Sequence, residues 1–149
     1  MKNNIFRKVL YILSVLAVCI TGIGGICIPW ITKWYYLSFT TIEVPKFMST
    51  FLFITVIPFL FLLIEVMKLS KSLLNDTYLN INTLKRLKRI SIYSLIEFFI
   101  YLIAIIFIYR NLVFIVVTIA TLMVFMITSL IRELIVKGIE LKEEIDLTI

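Results

Sequence analysis

Glu65 and Glu97 stand where carboxylates are costly. Glu97 interrupts the run ISIYSLIEFFIYLIAIIFIY, and Glu65 lies in the apolar run before it. An acidic side chain inside a long apolar run is expensive in lipid, faces the interior or a partner, and marks a candidate ion, proton or ligand site. Glu97 is seven residues into its run, roughly 10 Å below the boundary if the run is a helix. Glu65 is about one turn from the end of its own run. Arg132 follows the last apolar run, on a stem long enough to reach inward. Glu65, Glu97 and Arg132 are therefore expected to form one polar cluster, which either fixes helix register or carries a proton or cation.

Other chemistry is thin. The chain has no histidine, which removes the commonest general base and metal ligand. Cys19 and Cys27 are eight residues apart in one run, about 12 Å of rise on a helix, so they do not bridge and form no CxxC pair. No carboxylates pair at catalytic spacing and no glycine-rich phosphate loop is present; Gly22–Gly25 lie inside an apolar run. These absences argue against an enzyme and against a bound metal or cofactor.

The elements that must hold these residues are membrane spans. Of 149 residues, 62% are apolar and 16% charged, against about 25% charged in a soluble domain. Four runs approach the ~20 residues that cross a bilayer as a helix: 9–30, 47–67, 90–109 and 112–131. The first follows Lys2, Arg7 and Lys8, but it is too long for a signal peptide and ends in Pro29 and Trp30 with no small-residue cleavage site. The expectation is one all-α membrane domain, a bundle of four transmembrane helices, with a loop over 31–46, a basic loop over 68–89 and an acidic tail over 132–149.

Basic residues are divided unevenly. Twelve fall in the N-terminus, the 68–89 connection and the tail, while Lys33, Lys46 and Arg110 fall on the other side. The positive-inside rule then puts both termini and the middle connection in the cytoplasm. Trp30, Trp34, Tyr35 and Tyr36 suit the opposite headgroup region.

Within the spans, Ser94, Glu97, Tyr101 and Ala104 share one helical face, and Thr118, Thr121, Thr128 and Arg132 share another. Ala17, Thr21 and Gly25 form a small-residue ridge. The three stripes are expected to face one another. Pro58 frees the Ile54 carbonyl and should kink its span, with Thr55 placed to answer the gap.

Outside the spans, Lys85, Arg86, Lys88 and Arg89 place four cations in five residues, ahead of which Asn82 or Thr83 is expected to cap a helix. Such a cluster attracts anionic lipid headgroups, and without a nucleic-acid-binding fold it does not imply direct nucleic-acid contact. The tail GIELKEEIDLTI carries Glu140, Glu143, Glu144 and Asp146 against Lys142. Ile131, Leu134, Ile135 and Ile139 keep helical spacing, so the fourth helix should project beyond the bilayer, with Leu141 and Ile145 continuing its apolar edge. The tail is expected to dock on the basic segment or to compete with a partner for it.

The stretches TLKRLKRI and EEIDLTI resemble domain-of-unknown-function family 2975, small bacterial membrane proteins with four spans. Leu84, Arg86, Leu87, Lys88 and Ile90 fit the family's basic pattern, and Glu143, Glu144, Asp146, Leu147, Thr148 and Ile149 fit its ending; Tyr78–Leu79 stands where a Pro-Phe pair is common. The resemblance carries no assigned activity. It implies genes encoded beside a small helix-turn-helix regulator, and so a cytoplasmic protein partner. The leading expectation is a non-enzymatic regulatory or interaction protein of the bacterial cell membrane that acts on such a cytoplasmic partner or on another membrane protein. The alternative is an oligomeric transporter or channel subunit that uses Glu97.

Overall fold

The computed structural model describes residues 2–39, 47–75, 80–107 and 112–147, and every regular element among them is an α-helix. These are α1 (Lys2–Phe39), α2 (Met48–Leu74), α3 (Ile81–Phe107) and α4 (Leu112–Leu147). All four are long and apolar enough to cross a membrane. Residues 40–46, 76–79, 108–111 and 148–149, the Asp146 side chain, and with them Lys46, Tyr78–Leu79 and Arg110, lie outside the described part.

The helices overrun the expected spans. α1 continues through Pro29 to Phe39, so most of the loop expected from residue 31 is helical. Nothing in ITKWYYLSF breaks a helix. The Thr32 hydroxyl donates to the Ile28 carbonyl at 2.8 Å and meets Ser49 Oγ of α2 at 3.1 Å, tying the segment after the proline to its neighbour. Trp34 meets Phe39 edge-on and Tyr35 meets it tilted at this end.

The basic segment is likewise helix rather than loop. α2 runs to Leu74 and α3 begins at Ile81, which puts Lys85, Arg86, Lys88 and Arg89 on the first turns of α3. Its cap is Asn80, ahead of the expected Asn82 or Thr83: Asn80 Oδ1 accepts the Asn82 N–H at 3.4 Å and the Asn80 carbonyl accepts the Thr83 N–H at 3.0 Å. Asn80 satisfies donors that an N-terminus leaves open, while Thr83 is buried.

The helices pack in chain order, α1 on α2, α2 on α3 and α3 on α4, and among the described residues α1 packs on neither α3 nor α4. The bundle is therefore open along one side, and the three stripes do not all converge. The ridge of α1 goes to α2, where a Cβ on Gly25 would come within 3.0 Å of Val56 Cγ1. The α3 stripe is the interior one, with Ser94, Glu97 and Ala104 all buried. On α4, Thr118 is buried whereas Arg132 is exposed.

Side-chain pairs fix the register. Phe61 stacks on Tyr93 with ring centroids 5.9 Å apart, and Ser91 Oγ meets Ser129 Oγ at 3.1 Å. Phe51, Tyr101 and Phe114 from three helices close one end, with every centroid separation between 5.5 and 5.7 Å. Outward faces carry Ile, Leu, Phe and Val at more than half exposure, including Ile26 at 81% and Phe107 at 77%. Apolar surface on that scale is out of place in water and matches lipid. The chain is a multi-pass membrane protein.

Candidate functional site

The face of α3 that meets α2 repeats at helical spacing through Arg86, Arg89, Tyr93 and Glu97. Because α2 and α3 are antiparallel, each residue meets a fixed counterpart. Arg86 Nη1 donates to the Lys68 carbonyl and to Ser72 Oγ, both at 2.6 Å. It thus binds a carbonyl near the C-terminus of α2, where a cation is favoured. One turn on, Arg89 Nη1 donates to Glu65 Oε1 at 2.9 Å, and Lys68 Nζ lies 3.7 Å from the same oxygen. Glu65 is only 5% exposed, while the Arg89 side chain is 54% exposed. The pair joins a buried carboxylate to a cation that keeps its water.

Glu97 sits eight residues beyond Arg89, about 12 Å along the helix. Helical side chains lean toward their own N-terminus, so Arg89 reaches away from Glu97. Glu97 is 1% exposed. Its carboxylate accepts the backbone N–H of Phe59, the residue after Pro58, where the α2 ladder is interrupted. Oε1 has no hydrogen-bond partner among the described residues. A cavity of about 270 Å³ lies against it, lined by α2, α3 and α4 through Thr55, Phe59, Glu97, Tyr101, Val117 and Thr121 among others. Thr55 does not answer the Ile54 carbonyl; its hydroxyl donates to Leu52 O at 2.9 Å and is bonded by Tyr101.

The expected cluster of Glu65, Glu97 and Arg132 is therefore divided. Glu65 takes Arg89 from the basic segment, Glu97 has no cation among the described residues, and Arg132 lines a separate surface groove with Ser129, Glu133 and Val136. The cause is the packing order at this end, where α3 meets α2 through Arg89–Glu65 and α4 through Ser91–Ser129, and so stands between Arg132 and Glu65. Neither Arg89 as a partner nor the Phe59 amide was expected. The first was within reach of counting, because folding the chain about residues 76–79 sets 65 opposite 89; the second depends on the local break at Pro58.

The tail forms no separate lobe. α4 is continuous to Leu147, and its extension runs beside the first turns of α3, where Asn80, Ile81 and Leu84 share a groove with Val136, Ile139, Glu140 and Glu143. Arg86 and Arg89 turn the other way, toward α2. Further on, Leu141 and Ile145 are each 59% exposed, and Glu143 and Glu144 are exposed beside them.

A family model described as "Protein of unknown function (DUF2975)" matches residues 7–149. That match takes in the paired basic turns, both buried glutamates and the α4 extension, and the chain belongs to this family. No curated protein and no solved structure matches the chain.

Proposed function

We propose that the protein is a non-enzymatic interaction protein of the cell membrane, with both termini cytoplasmic, which uses the α4 extension to engage a basic cytoplasmic protein. One observation carries the reading: α4 stays helical past the start of α3 while presenting Leu141 and Ile145 among Glu140, Glu143 and Glu144. A solubilising end gains nothing from half-exposed isoleucine and leucine, whereas an amphipathic acidic helix docks on a complementary groove. The asymmetry in basic residues supports the cytoplasmic placement. A helix-turn-helix regulator, the partner class the family resemblance implied, presents a basic face of the right sign. The α3 cations Lys85 and Lys88 are exposed and suit anionic headgroups rather than nucleic acid.

The test is affinity capture from solubilised membranes with the full chain, with residues 140–149 deleted, and with Leu141→Ser/Ile145→Ser. One cytoplasmic protein should be retained by the first and lost from the other two. Equal recovery on all three baits would end the proposal.

A second reading, transport or conduction, is favoured by the cavity beside Glu97 and its unpartnered oxygen. It predicts flux through proteoliposomes that Glu97→Gln abolishes.

A further inference from the structure

The Glu97 cavity combines three properties. A buried carboxylate oxygen lies at its wall with no donor among the described residues. A buried acceptor left without a partner is costly, and a donor or cation that enters recovers the loss. The two arginines on this face of α3 are committed elsewhere, Arg89 to Glu65 and Arg86 to the end of α2. The remaining lining is mixed: Phe59 and Tyr101 supply rings, Thr55 and Thr121 hydroxyls, and Val117 an apolar wall.

Charge, size and lining narrow the occupant. One carboxylate balances one positive charge. A bare metal ion would need about six or more oxygen ligands at short range, and this lining offers few in a space far larger than an ion. Aromatic faces attract an ammonium, most strongly where water is excluded. At about 270 Å³ the cavity falls just below the ~300–1,000 Å³ of drug-sized pockets. No α1 residue lines it, so the open side of the bundle leaves a way in.

We propose that this cavity binds a small monovalent organic cation, such as a benzylic or aliphatic quaternary ammonium, held by the Glu97 carboxylate against the Phe59 and Tyr101 rings. The inference supplies a ligand class for the transport reading and rests on the same site, but binding is measured apart from movement.

Purified full chain in lipid nanodiscs is titrated with benzyltrimethylammonium and, in parallel, with the anion benzenesulfonate. The expected result is saturable binding of the cation, one per chain, and none of the anion. Glu97→Gln should weaken the cation by at least about tenfold, as for removal of one partner of a buried charge pair. Val117→Trp, which fills the cavity and keeps the carboxylate, should weaken it too. Wild-type chain that takes up no cation in a saturable way holds only water there, and the proposal fails. It fails equally if the anion binds as well, or if folded Glu97→Gln retains wild-type affinity. Should either variant misfold, the cation–anion comparison on wild-type chain still decides. Saturable binding without flux in proteoliposomes would preserve this site and remove the transport reading.

Discussion

Glu65 and Glu97 are buried alike, at 5% and 1% exposed, yet Glu65 on α2 receives a guanidinium from α3, whereas Glu97 on α3 receives only a backbone amide from α2. The difference follows from depth. Arg89 stands at the start of α3, where its outer half keeps water and its tip reaches one turn into the helix pair. Two turns deeper no side chain can be cationic without leaving water altogether, and α3 offers Tyr93, Tyr101 and apolar residues instead. Near the ends of the helices a buried carboxylate is an element of structure. Each of the two glutamates has one buried oxygen without a partner among the described residues, but only the one in the middle also lacks a cation there.

Unfolding in mixed micelles, followed by circular dichroism, separates the two. Arg89→Leu should have the largest effect, roughly 2 kcal/mol, because it leaves buried Glu65 with only the more distant Lys68, though the half-exposed guanidinium keeps the loss below that of a fully buried pair. Adding Glu65→Gln should recover most of it; no recovery would mean that the pair is not what stabilises this level. Gly25→Leu comes next at about 1–3 kcal/mol, since the stiff Val56 must move, while Gly22→Leu, with nothing within 4 Å, should unfold like wild type. Equal costs at the two glycines would show that the α1–α2 seam lies elsewhere. Ser91→Ala should cost about 0.6 kcal/mol, typical of one interhelical hydrogen bond in a membrane, with non-additivity toward Ser129→Ala. Glu97→Leu should change stability least, within about 0.5 kcal/mol, because replacing an incompletely satisfied buried charge with an apolar group is often neutral. A loss as large as that of Arg89→Leu would erase the contrast and make Glu97 a structural residue.

The four spans are legible in the chain because lipid demands long unbroken apolar runs, and such runs are rare otherwise. The polar stripe of α3 is legible for the same kind of reason: Ser94, Glu97 and Ala104 repeat at helical spacing, and the structure buries all three. Which helix each stripe meets is another matter. Spacing names a face and not its neighbour, so placing Arg132 with the glutamates assumed a closed ring, and the row in which α3 separates α2 from α4 at the Arg132 end undoes it. The helix ends ran further than expected because hydropathy marks where apolar residues stop, whereas helices continue through polar residues until a cap such as Asn80 or a break in hydrogen bonding ends them. The Glu97–Phe59 contact was out of reach altogether, since it joins a side chain to a backbone group that local geometry alone makes available.

The length of α4 has a mechanical side. Its 36 residues make a rod of about 54 Å, of which ~30 Å suffices to cross hydrocarbon, so some 24 Å projects past it. Among the described residues its one long seam is with α3, and it touches α2 at Phe51–Phe114 near its other end. Tilting it by ~10° about the bilayer edge would swing the tip by roughly 4 Å, about one residue's width. Val117 and Thr121 sit on the inner arm of that lever, beside the cavity and about 15–22 Å from the pivot, and Glu140 to Glu144 on the projecting arm, about 13–20 Å from it. Any change in the width of the cavity would therefore arrive at the acidic tip reversed in direction and at about the same size.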